Sequence, residues 1–90
     1  MTVYWIIDGK AVQTREDVYN TAVQALSLPE WFGRNLDALW DLLTDLCDPL
    51  TVVVIETDLL REHLGSFADT LLKLLAQAAE RENITLIVDR

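Results

Sequence analysis

Apolar positions follow two rhythms along this chain: short unbroken runs, and recurrences three and four residues apart. Residues 3–7, VYWII, form an apolar run rich in β-branched and aromatic side chains, closed by the turn signal Asp8-Gly9. Residues 51–56, TVVVIE, and residues 84–88, ITLIV, have the same character, so three strands are predicted. The continuous apolar centre of the second predicts burial on both faces, the habit of a parallel sheet covered by helices.

Helical spacing fills the intervals. A polar start at Thr14, with Glu16 and Asp17 in the first turn, predicts a helix to about Leu26. Val18, Ala22, Ala25 and Leu26 form its apolar side. Pro29 and Gly33 punctuate the next segment, and Asn35 is an N-cap candidate for a helix reaching about Leu46. Asp48-Pro49 closes that section, with the small trans preference before proline leaving either isomer open. Residues 58–64 predict a short helical turn before Gly65. Phe67, Leu71, Leu74, Leu75 and Ala78 then predict a helix from Ser66 to near Glu82. The order of elements predicts one small α/β domain over residues 1–90, and right-handed crossovers would make its strands parallel neighbours.

Charge narrows the range of partners. Seven Lys and Arg against fifteen Asp and Glu leave a net charge of −8, which opposes nucleic-acid backbones and anionic membranes and favours a basic partner. The positive residues are spread from Lys10 to Arg90 without a basic patch, so neither direct nucleic-acid binding nor membrane association is expected. Cys47, the single cysteine, excludes an internal disulfide and reads as a semi-buried small hydrophobe. No basic segment near Met1 leads into a long apolar run, so a reduced, soluble, cytoplasmic chain is expected. His63 stands alone in LLREHLG and reads as a surface or capping residue near Gly65. The three glycines form no phosphate-cradling pattern.

The predicted helix beginning after Asn35 carries the strongest functional signal. Asp37, Asp41 and Asp45 stand four apart and share one face, against Leu36, Leu39 and Leu43 on the inner side. Such like-charge pairs each cost an isolated helix roughly 0.2–0.5 kcal/mol, and only Asp37 lies where the helix dipole offsets much of it. Thr44 extends the polar face. Trp40 falls between the acidic and apolar rows, and Trp31 sits in the loop between Pro29 and Gly33, where a large ring can border a binding surface. Phe32 is expected in the core. Aromatics beside desolvated charge are common at interface hot spots, although a plain solvated face has the same pattern. Paired carboxylates also serve sugar hydrolysis and divalent-cation binding, but a convex helix lacks the enclosing pocket catalysis needs. A binding protein is expected, not an enzyme.

The segment Leu28-Pro29-Glu30-Trp31-Phe32-Gly33, followed by Asn35-Leu36-Asp37-Ala38-Leu39-Trp40-Asp41 and Leu43-Thr44, closely resembles the signature of the barstar family, intracellular inhibitors of barnase-type extracellular ribonucleases. The resemblance implies a small three-layer-like α/β fold, a three-stranded parallel sheet packed with helices. It also implies a stoichiometric inhibitor of a basic secreted or toxin-type ribonuclease, monomeric when free and needing no cofactor or metal. Asp41 would match the carboxylate that enters the nuclease's phosphate-binding centre, Asp37 a second carboxylate, and Trp31 an aromatic packed on the nuclease. Thr44 would lie at the margin, Trp40 partly buried beneath, Asn35 at the helix start, and Asp45 would continue the acidic row. Two features depart from the family pattern. Asp45-Leu46-Cys47-Asp48 lacks a glycine-tryptophan pair after the threonine, and Ala76, beside Gln77, stands where a further acidic contact is expected. A non-inhibitory interaction module that holds a basic partner through the same surface is the alternative.

Overall fold

Strands β1 (Val3–Asp8), β2 (Leu50–Ile55) and β3 (Ile84–Val88) run parallel in the order β1-β2-β3, in a computed structural model that describes residues 2–89. Met1 and Arg90, the ends of the expected domain, lie outside the described residues. Helices α1 (Arg15–Leu26) and α2 (Leu36–Asp45) connect the first strand pair, and α3 (Thr57–Leu64) and α4 (Ser66–Ala78) connect the second. The expected α/β class, with a three-stranded parallel sheet packed against helices, is what the structure shows.

Local chemistry explains where the first two helices begin. The Thr14 hydroxyl accepts from the Asp17 amide at 3.2 Å while the Asp17 carboxylate accepts from the Thr14 amide at 3.2 Å, a reciprocal cap. Asn35 Oδ1 accepts from the Ala38 amide at 2.8 Å and opens α2. Gly65, at φ +60, breaks the chain between α3 and α4. The last helix ends at Ala78, not near Glu82 as its periodicity predicts. Residues 79–83 turn back instead, and Asn83 is held by its amide donating to the carbonyls of Leu46 at 2.8 Å and Asp48 at 3.1 Å. That anchor sets Ile84 opposite Leu50, where β3 begins.

The sheet's two faces differ. In register, Trp5 lies beside Val52, and Ile7 beside Val54; these residues, with Leu50 and Ile84, are all buried under the helices. Leu39, Leu43, Leu60, Leu71 and Leu75 meet them from the helical side. On the other face Tyr4, Ile6 and Ile87 are exposed. The expected burial of β2 on both faces is therefore corrected, and the three-layer-like arrangement becomes two layers. Val53 sits between Ile6 and Ile87 in register, so neighbouring strand side chains half-cover it where a helix was expected.

Close backbone approach ties the β1 end to α3. Gly9 is buried where any Cβ would meet the Glu56 carbonyl oxygen at 2.1 Å. His63 Nδ1 lies 3.0 Å from the carbonyl oxygens of both Gly9 and Val12. Both are acceptors, so Nδ1 carries the hydrogen and clamps the loop between β1 and α1. The histidine is exposed as expected, but it fastens a loop and does not cap the helix end near Gly65. Cys47 is exposed, contrary to the semi-buried expectation, because α2 has ended and Leu46 takes the inward position. The Asp48-Pro49 bond is trans.

Candidate functional site

The acidic helix and its preceding loop form one continuous surface. Phe32 is half-buried and meets the Tyr19 ring edge-on, with centroids 6.5 Å apart, so it roots the loop in the core. The Phe32 amide donates to the Pro29 carbonyl at 3.0 Å and the Asn35 amide to the Gly33 carbonyl at 2.8 Å, fixing the loop into α2. Trp31, one residue from that root, is 85% exposed. It lines a shallow depression with Pro29, Leu42, Asp41 and Asp45.

Asp37, Asp41 and Asp45 are all exposed. Ion pairs among the described residues join Arg34 to Glu16 and Arg61 to Asp58 and Asp69; none involves the α2 row. Among the described residues the row is therefore held in no ion pair. Trp40 is half-buried and lines a second groove between α2 and α4 with Asp37, Lys73 and Gln77.

The seven predicted site residues thus separate by role. Trp31, Asp41 and Asp45 share one depression, and Asp37 shares the other with Trp40. Asn35 is the helix cap, its side-chain oxygen already engaged. The Thr44 hydroxyl donates back to the carbonyls of Trp40 at 2.9 Å and Asp41 at 3.2 Å, so it is tied to its own helix. Among the described residues, no group of three or more His, Cys, Asp or Glu could hold a metal ion. No described helix is long and apolar enough to cross a membrane.

A third cleft went unread in the sequence. Arg15, Tyr19, Arg34 and Phe67 gather beside Asp37 at the N-terminal end of α2. Burial pushes the Tyr19 phenol up, and the positive charge of Arg15 partly opposes that shift. The one local signal was Arg15 itself, a cation in the first turn of α1 where the helix dipole disfavours it.

These features define a small two-layer α/β protein with an exposed row of aspartates on one helix, edged by an indole. The sequence pattern of the family described as Barstar (barnase inhibitor) matches residues 3–89, and the chain belongs to that family. It is also 37% identical over 87 residues to YrdF of Bacillus subtilis (strain 168), a protein whose name proposes ribonuclease inhibition. That likeness covers 93% of this chain and 96% of YrdF. Barstar-family proteins are inhibitors and not catalysts, so the chain is not an enzyme.

Proposed function

We propose that the chain is a stoichiometric inhibitor of a small basic ribonuclease of the secreted or toxin type, acting in the cytoplasm as a monomer until it meets its target. It covers the nuclease active site with α2 and the loop before it. The supporting observation is the row Asp37, Asp41 and Asp45, exposed and unpaired on one helix, with Trp31 standing 85% exposed at its edge.

An RNA-cleaving site presents cationic donors to a phosphate. A carboxylate takes the place of that anion through charge-assisted hydrogen bonds, and its desolvation is offset only when several donors receive it. Asp41 is ready for such donors, since it is in no ion pair among the described residues. Trp31 offers a large apolar surface close to the charge, and its root in Phe32 limits the ordering entropy lost on docking. No bond is made or broken. Inhibition follows from excluding RNA and neutralising the cationic centre.

The test is a titration of RNA cleavage by purified small basic ribonucleases, barnase among them. Cleavage by the cognate enzyme should fall linearly with added chain and stop at one equivalent. Tight binding that leaves cleavage intact would instead make the protein an interaction module. Failure to bind any enzyme of this class would overturn the proposal.

A further inference from the structure

We infer that Arg15 and Tyr19 form a specificity subsite that takes a carboxylate from the same ribonuclease, beside the acidic face. The inference rests on the docking proposed above and names a contact of opposite sign at its border. The cleft holds about 360 Å³; its charged lining is Arg15 and Arg34 with Glu16 and Asp37, beside Tyr19 and Phe67, so a carboxylate entering it must sit on the Arg15 side, away from Asp37.

Its polar groups have different fates. Arg34 Nη1 is engaged by Glu16 at 3.0 Å and Asn20 Oδ1 at 2.7 Å, so its charge is already answered. Asn35 is spent on the cap of α2. Arg15 is not answered. Its guanidinium lies 4.8 Å over the Phe67 ring, and no carboxylate of the described residues pairs with it, although the chain carries fifteen acids. The Phe67 ring beneath is nearly buried and braced edge-on by Tyr19, with centroids 6.3 Å apart. The stack holds the guanidinium on a rigid floor, which reduces the freedom it loses on binding.

Tyr19 supplies a second donor. Its side chain is only 5% exposed, yet its hydroxyl has no hydrogen-bond partner among the described residues. Among the described residues no fully buried side-chain oxygen lacks a partner, so this hydroxyl is not sealed from solvent, and Tyr19 is one of the residues lining the cleft. A planar carboxylate suits the pair, with the guanidinium donating through two N–H groups and the phenol through one.

Such a subsite adds selection to attraction. The α2 row draws any strongly basic enzyme, while Arg15 favours one that carries an acid beside its cationic cleft and repels one with Lys or Arg there. The probe is the purified ribonuclease whose cleavage the unaltered chain abolishes. Arg15→Met should weaken inhibition about ten-fold, and Arg15→Glu about a hundred-fold. Tyr19→Phe should weaken it about three-fold, the loss of one hydrogen bond.

Double-mutant cycles then pair Arg15→Met with alanine at each acid bordering the nuclease cleft. One acid should couple with Arg15 by about five-fold or more, a result that loss of packing on Phe67 would not produce. Inhibition within about two-fold of the parent for both Arg15 variants, or coupling with no acid, overturns the subsite. Asp41→Ala separates the two levels. If it weakens inhibition while Arg15 variants do not, only the subsite is lost. If it too has no effect, or if no ribonuclease is inhibited at all, the docking face fails and the subsite with it.

Discussion

Trp31 and Asp41 border the same shallow depression, one from the loop after Pro29 and the other from the middle of α2. Two separate local devices hold them there: the Phe32 ring against Tyr19, and the Asn35 cap on Ala38. Neither residue contributes to the buried core. Removing either should therefore reach binding without reaching the fold.

Asp41→Ala is expected to weaken the complex with the cognate ribonuclease by roughly 2–5 kcal/mol, and Trp31→Ala by about 1–3 kcal/mol. Glu62→Ala, an exposed acid on α3, should change it by less than about 0.5 kcal/mol. Calorimetric titration supplies these values, and urea unfolding checks that all three variants retain parental stability. Equal losses from Asp41 and Glu62 would remove Asp41 from the site.

Association should depend steeply on salt. The chain carries −8, with three aspartates along one helix that form no ion pair among the described residues, and the proposed target is basic. Steering by such a field accelerates encounter and is screened over about 10 Å at 0.1 M salt. Stopped-flow mixing should show the association rate falling about ten-fold or more between low and high salt, with dissociation changing much less. A rate indifferent to salt would confine the acidic row to short-range contact.

How far the sequence was legible depends on how local each feature is. The Asn35 cap, the acidic row and the exposed Trp31 each follow from spacings within a few residues, and the structure has all three. The run around Val53 was misleading because apolarity alone does not distinguish cover by a helix from cover by Ile6 and Ile87 in register. The end of α4 is set by Asn83 reaching the α2–β2 loop, a contact between distant segments that periodicity does not carry. The Arg15 cleft was illegible for the same reason. Its walls come from α1, the start of α2 with the segment before it, and α4, and only the fold brings Phe67 beneath Arg15.

Gly9 should tolerate no side chain. A Cβ there would lie 2.1 Å from the Glu56 carbonyl oxygen and 2.7 Å from the Leu60 amide nitrogen, both backbone atoms that cannot swing aside. Gly9→Ala must push β1 and α3 apart, disturbing the loop that His63 clamps. A loss of about 1–3 kcal/mol is expected from chemical denaturation. Unchanged stability would mean that this approach is looser in solution.

The α1 cap adds a pH dependence whose sign is determined by Asp17. Its carboxylate accepts from the Gln13 amide at 3.0 Å, the larger effect, and from the Thr14 amide at 3.2 Å. Together these hold its carboxyl below the ordinary carboxylate range, against a smaller opposing effect of burial. The unfolded chain therefore takes up this proton more readily. The cap's contribution is complete above the unfolded pKa and is lost as pH falls through the folded one. Asp17→Ala should be less stable than the parent at neutral pH, and the gap should narrow as pH drops from about 5 to below about 3. Urea midpoints of the two proteins across that range would show it. A gap that stays constant or widens in acid would mean the ionised carboxylate does not hold the start of α1, the turn that places Arg15 over Phe67.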